Sequence, residues 1–178
     1  KVKELFRLAL KQDAERTMRD LIALQVDIKA LFSGGDIAFV HTHSLDRVDE
    51  QNLYNGCVCV SESIENVDPS CFYNADVSKF FVEKGNANYS SVAGVLFDKT
   101  KTTLVRFPIT SPETRYVVPQ GVTVIGRCAF QNARNLKEIV LPDTLLRIEE
   151  SAFDDCKNLT IIDIPSSVTS LGAWAFHG

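Results

Sequence analysis

The chain has 178 residues, a formal net charge of -4, 45% hydrophobic residues and 24% charged residues. This composition is typical of a globular protein and excludes wholesale disorder and collagen-like structure. No apolar stretch approaches the roughly 18 residues that span a bilayer, and the mild acidity gives no electrostatic argument for nucleic acid binding. Because no signal-like segment stands at Lys1, we expect a trimmed fragment of a longer protein, and its start indicates nothing about localisation.

The first segment, residues 1–35, is rich in helix-forming residues with apolar positions at helical spacing, and a Ser-Gly-Gly sequence at 33–35 ends it. We predict one long or two short amphipathic helices that cap the open end of the fold that follows. An oligomerisation helix or a membrane-surface helix is the alternative. The mixed charge of the segment argues against the membrane helix, whose polar face should be strongly basic.

Residues 36–82 contain degenerate copies of a repeat that becomes regular near the C terminus, and we interpret them as irregular coils of the same fold. One copy consists of Ile64, Val67 and Phe72, followed by a strand with Val77, Phe80 and Val82. An earlier and shorter copy consists of Leu45, Val48 and Leu53, followed by a CVCV strand at 57–60.

Two histidines, His41 and His43, flank Thr42 in the earlier copy. On a strand, this spacing would present two imidazoles to a metal ion. Two exposed polar residues near a coil boundary are the simpler interpretation. We therefore predict no cofactor, no metal site and no catalytic residue.

Residues 83–118 interrupt the repeat pattern. Two apolar runs, 95–97 and 104–107, flank the polar turn 98–101, and this arrangement predicts a β-hairpin. Tyr116 and Val118 then restore the strand pattern before Pro119.

Residues 119–178 carry a repeat with a period of 23 residues, the last copy being incomplete. The repeated positions include Pro119, Pro142 and Pro165, and the pairs Ala129-Phe130, Ala152-Phe153 and Ala175-Phe176. Each unit predicts a short helical turn followed by a short strand. A single unit cannot bury both of its apolar faces, so stacked units should form a solenoid with a parallel sheet along one face.

Because the last unit stops before its strand, its apolar residues should lack a neighbour. These residues include Leu171, Trp174 and Phe176. We expect fraying or self-association at this edge.

The strand motif places alternate residues on the outer face of the sheet, and these are the candidate partner-binding residues. They form two columns, Lys79, Arg115, Glu138 and Ile161 in one and Phe81, Val117, Val140 and Asp163 in the other. Exposed apolar residues with charged neighbours often mark interaction sites. Ordinary β-propensity explains the same residues equally well, and the hairpin or the N-terminal helices would cover part of the columns.

The five cysteines, Cys57, Cys59, Cys71, Cys128 and Cys156, are odd in number and lack the paired CxxC spacing of a zinc ribbon. We interpret them as buried thiols that fill the core. A disulfide bond or a reactive thiol is the alternative.

The chain resembles the BspA-type (treponemal-type) leucine-rich repeat family in two motifs, which together cover residues 58–178. One is the x-IG-x-x-AF-x-x-x-x-x-L-x-x-I-x-L-P unit, and the other is the insertion NANYSSVAGVLFDKTKTTLVRFP. The resemblance implies a right-handed α/β leucine-rich repeat solenoid. It also implies a secreted or cell-surface location and a role in protein binding or adhesion.

Three hypotheses of function follow from the sequence. The first is a non-enzymatic module that binds a protein or host macromolecule through the concave sheet face or the hairpin, with no nucleic acid partner. The second is a structural spacer within a longer surface protein. The third, which the residues favour least, is a metal-dependent enzyme that uses His41 and His43.

Overall fold

The computed structural model describes residues 56–178 and the backbone of a short strand at 44–45. The predicted helical cap at 1–35 and the histidines His41 and His43 lie outside the described residues. In the strand at 44–45, Leu45 pairs with Val67. The repeat pattern instead aligned Val48 with Val67, so the predicted register of the earliest copy is wrong.

The described residues form thirteen short strands and one 3-10 helix, and contain no α-helix. The 3-10 helix spans Pro69–Phe72, and the Asp68 carboxylate caps it by accepting a hydrogen bond from Ser70 N. The strands, numbered in chain order, are β1 Ser44–Leu45, β2 Cys57–Val60, β3 Asn66–Val67, β4 Lys79–Val82, β5 Tyr89–Val92, β6 Val95–Asp98, β7 Thr103–Arg106, β8 Arg115–Val117, β9 Val124–Ile125, β10 Glu138–Val140, β11 Arg147–Ile148, β12 Ile161–Asp163 and β13 Ser170–Leu171.

Two sheets run along the coils, and the strands of the regular coils pair in parallel in both of them. Strands β8, β10 and β12 form a three-stranded sheet, and β9, β11 and β13 form part of a six-stranded sheet with β7, β6 and β5. In the three-stranded sheet, Ile139 lies opposite Tyr116 on one side and Ile162 on the other. Neighbouring strands therefore pair residues that are 23 apart in sequence, and the predicted solenoid of stacked parallel coils is confirmed.

The third side of each coil is an irregular turn and not the predicted helical turn. Alternate backbone N–H groups of this turn donate to the next coil, with Phe130 N at 2.7 Å from Ala152 O and Phe153 N at 2.8 Å from Ala175 O. Left-handed backbone at Cys128 (φ 55°) prevents a helix at this position. The prediction of a helical turn in each repeat is therefore wrong, because donors that a helix would use internally bind the neighbouring coil.

A column of phenylalanine rings runs through the core of the coils. Ring centroids are 5.2 Å apart between Phe107 and Phe130, 5.0 Å between Phe130 and Phe153, and 5.1 Å between Phe153 and Phe176. The first three rings, those of Phe107, Phe130 and Phe153, are at most 2% exposed. Each ring thus buries the face of the next, and no coil completes its own core.

Asparagine side chains join the coils beside the three-stranded sheet. Asn135 Nδ2 donates to Ser111 O at 2.8 Å, and Asn158 Nδ2 donates to Arg134 O at 2.6 Å. The two asparagines are 23 residues apart, and so are their acceptors. They satisfy carbonyl groups at a corner where the chain leaves regular pairing.

The insertion contains the predicted hairpin, formed by the antiparallel strands β6 and β7. Two features of it were not predicted. Strand β5 adds a third antiparallel strand, and β7 continues into parallel pairing with β9. The hairpin therefore extends the six-stranded sheet, and β7 is also the first strand of the coil that carries Phe107.

The irregular N-terminal coils form a second core cluster. Strand β2 pairs in parallel with β4, which confirms both predicted strands. Phe72 and Phe80 pack edge to face at 5.0 Å, and both are buried. Leu96 of β6 belongs to this cluster, whereas its neighbour Phe97 belongs to the cluster of the regular coils.

The phenylalanine column predicts a large loss of stability for Phe130→Ala. Removing this ring leaves a cavity and exposes both neighbouring rings, so the free energy of unfolding should fall by about 3–5 kcal/mol. Urea denaturation measures it. Leu146→Ala is the control, because Leu146 is 48% exposed and should change stability by about 0.5 kcal/mol or less. Equal effects of the two substitutions would contradict the role of the column.

Candidate functional site

The outer face of the three-stranded sheet has six of the eight predicted residues in the predicted register. Across the strands, Arg115, Glu138 and Ile161 lie side by side, and Val117, Val140 and Asp163 form the second row. All six side chains are exposed or half-buried. The strand motif predicted this arrangement because side chains alternate between the two faces of a strand.

The other two predicted residues, Lys79 and Phe81, do not lie in these rows. Strand β4 pairs with β2, so Lys79 lies opposite Cys57 and Phe81 opposite Cys59. Phe81 is 7% exposed, which makes the prediction of an outward-facing Phe81 wrong. The alternation rule assumes a solvated face, but both Phe80 and Phe81 are buried in this strand.

The turn between β5 and β6 packs against β4. Phe80 N donates to Gly94 O at 2.8 Å, at the turn between β5 and β6. A Cβ at Gly94 would approach Lys79 Cγ to 3.1 Å, so the turn packs closely against Lys79. Gly94 also has a φ of +82°, which a residue with a side chain rarely adopts.

Apolar side chains dominate one part of the exposed face. Val117 is 51% exposed, Val140 is 36% exposed and Ile161 is 55% exposed. Val117 and Val140 are direct cross-strand partners, and Ile161 lies one strand further along, in the other row. We call Val117, Val140 and Ile161 the apolar patch. The side chains of this patch can be desolvated at little cost when a binding partner covers them.

Charged side chains flank the apolar patch. Arg115 Nε donates to Glu138 Oε1 at 2.8 Å, and the two side chains are 54% and 32% exposed. At such exposure an ion pair contributes little to stability. Its exposed groups instead offer a partner one cation and one anion at fixed positions, and Asp163 supplies another exposed carboxylate at the edge of the second row.

The side chains beneath this face are those of a packed core. Tyr116 points inward, and its ring packs edge to face on Phe107 at 5.0 Å. Burial raises the pKa of the Tyr116 hydroxyl above its usual range, so the group stays protonated at neutral pH. The Tyr116 ring therefore belongs to the core beneath the sheet and not to its exposed face.

Two of the core thiols are held in their protonated form. Cys128 is buried, and Cys156 Sγ donates to Phe130 O at 3.0 Å. Burial raises the pKa of the Cys128 thiol, and it raises the pKa of the Cys156 thiol to about 11. Since the thiolate is the nucleophile, these residues are poor nucleophiles at neutral pH. They fill the core, as the sequence predicted for them.

Within residues 56–178, no three His, Cys, Asp or Glu side chains are grouped as metal ligands. In the same part of the chain, no helix is long and apolar enough to cross a membrane.

The stacked parallel coils, with a period of 23 residues and a phenylalanine column, define a leucine-rich repeat solenoid. The family model of the BspA type leucine rich repeat region matches residues 107–178. This stretch of the chain therefore belongs to the BspA-type leucine-rich repeat family. The match begins at Phe107, the first ring of the column. No curated protein matches the chain.

Solved structures of bacterial leucine-rich repeat proteins share the fold. The pneumococcal vaccine antigen PcpA is 25% identical, with a TM-score of 0.61 over 68% of this chain and 36% of that one. A leucine-rich repeat protein from Eubacterium ventriosum is 24% identical, with a TM-score of 0.59 over 72% of this chain and 38% of that one. A leucine rich cell surface protein from Faecalibacterium prausnitzii is 22% identical, with a TM-score of 0.55 over 69% of this chain and 39% of that one.

This chain thus spans little more than a third of the length of each of these structures.

The raised pKa of Cys156 predicts slow alkylation of the folded protein. Below pH 9, near the pKa of the thiol in the unfolded protein, Cys156 is protonated in both the folded and the unfolded state. Between about pH 9 and pH 11 the thiol ionises only in the unfolded protein, so the stability of the fold should decrease as the pH rises through this range. At pH 8, iodoacetamide should modify Cys156 at least tenfold faster in urea than in buffer. Peptide mass spectrometry gives both rates, and equal rates would show that the thiol is not protected.

Proposed function

We propose that this chain is a non-enzymatic binding module of a cell-surface or secreted protein. Its partner is a protein or another extracellular macromolecule, which it binds through the exposed face of the three-stranded sheet. The apolar patch is the observation that carries this proposal. Its three residues remain accessible on the sheet. By contrast, the inward-facing Ile139, which lies between Glu138 and Val140 in β10, is 2% exposed.

The chemistry of the face supports contact with a macromolecule. Side chains of three adjacent strands lie in two straight rows, and an apolar centre flanked by charges is the usual composition of a protein interface. The pneumococcal vaccine antigen among the structural neighbours supports an extracellular location. The fold alone does not determine function, so the argument depends on this face.

Substitution of the apolar patch tests the proposal. In the double variant Val117→Glu, Val140→Glu, the charges lie on exposed positions, so the fold should be kept while binding falls at least tenfold. The control is Leu146→Glu, which places one of these charges on an exposed apolar residue away from this sheet. Binding is measured on a panel of immobilised purified extracellular matrix proteins and mucins, with serum albumin as the reference surface.

The two variants separate a specific face from a general charge effect. Loss of binding in the double variant but not in Leu146→Glu supports the sheet face. Equal binding by the unsubstituted chain, the double variant and Leu146→Glu removes the sheet face from consideration. Equal loss in both variants indicates a general effect of added negative charge. Circular dichroism and thermal unfolding confirm that each variant is folded.

A structural spacer is the second candidate function, favoured by the small share of the neighbouring structures that this chain spans. As a spacer, the chain would bind none of the panel proteins while a longer parent protein containing it does. Comparing the two on the same panel distinguishes a spacer from a binding module.

A further inference from the structure

Arg106 occupies a position that the repeat otherwise reserves for alanine. It is the last residue of β7, and it is the bulkiest side chain among those that are fully buried in residues 56–178. Counting forward by 23 residues gives Ala129, Ala152 and Ala175, which are all buried. A long cationic side chain thus enters the core at a site where the regular coils accommodate one methyl group.

The guanidinium of Arg106 binds two backbone carbonyl groups of the next coil. One terminal nitrogen donates to Cys128 O, and the other, Nη2, donates to Gln131 O at 3.1 Å. In the regular coils the carbonyls equivalent to Gln131 O are those of Asp154 and His177. Each accepts from a backbone N–H of the preceding coil, Asn132 N at 2.9 Å and Asp155 N at 2.8 Å.

The coil of Arg106 makes a different backbone contact at this point. Its residue equivalent to Asn132 is Ile109, which follows Pro108, and the Ile109 carbonyl accepts from Arg134 N at 3.1 Å. The guanidinium therefore takes the place of the backbone donor to Gln131 O. It continues the hydrogen-bond ladder between coils where the repeat itself becomes irregular.

Burial of this cation is costly without a compensating role. Desolvation lowers the pKa of Arg106 to about 10, so the group is still charged at neutral pH, and its Nε has no hydrogen-bond partner. Buried ionic groups seldom add net stability, and their best attested contribution is to specify one arrangement over others. The position of Arg106 indicates which arrangement is specified.

Arg106 lies where the hairpin meets the regular coils. Its cross-strand partner in β6 is Leu96, which belongs to the core cluster of the N-terminal coils. The carbonyls that it binds belong to the coil of Phe130, in the other cluster. We propose that Arg106 is a conformational latch that fixes the hairpin of β6 and β7, together with the added strand β5, on the regular stack of residues 119–178.

The variant Arg106→Met tests the latch, because methionine keeps an unbranched side chain in the core and removes every donor. Hydrogen exchange followed by mass spectrometry compares β5 and β6 with the ladder amides of Phe153 and Asp155. We expect exchange in β5 and β6 to become at least tenfold faster, with the ladder amides changed less than twofold. A residue that contributes only to global stability would accelerate both sets alike.

Arg115→Met is the matched control, since this arginine lies in the same coil but is exposed. It should leave both sets of amides unchanged. Arg106→Lys provides a second variant if the methionine variant does not fold: it keeps the charge but loses the planar fork that reaches two carbonyls, so the same selective acceleration is expected. Uniform acceleration, or no change in β5 and β6 in a folded variant, would overturn the latch.

Discussion

Each coil of this protein depends on the next coil for the hydrogen bonds and the ring contacts that complete it. The backbone donors of Phe130 and Phe153 bind carbonyls one coil further on, and their rings stack at 5.0 Å. Because a single 23-residue unit cannot satisfy these groups, the repeats fold only as a stack. The spacing between equivalent residues is therefore the same on all three sides of the solenoid.

That constraint also places the candidate binding face. Once inward residues such as Ile139 pair one coil apart, their outward neighbours must form straight rows, and the apolar patch arises from those rows. The ion pair between Arg115 and Glu138 is a consequence of the same register. A partner would thus meet side chains on a rigid sheet, which reduces the conformational entropy lost on binding.

The hairpin is the place where this regularity ends. Leu96 and Phe97 are adjacent in sequence but contribute to different core clusters, so β6 joins the irregular coils to the regular ones. A repeat that ended abruptly here would leave carbonyls such as Gln131 O without their ladder donor. Arg106 supplies that donor, and polar contacts also cross between the irregular and the regular coils on the surface, including Asp76 with Arg134 at 2.8 Å.

The sequence by itself determined the solenoid, the 23-residue register, the β6–β7 hairpin and six of the eight outward residues, because periodic burial leaves a periodic pattern of residues. Only the tertiary structure decided the remaining features. Left-handed backbone at Cys128 replaced the predicted helical turn, and pairing of β4 with β2 buried Phe81. Arg106 in an alanine position gave no sign of being buried, since the acceptors that stabilise it are backbone carbonyls brought close only by stacking.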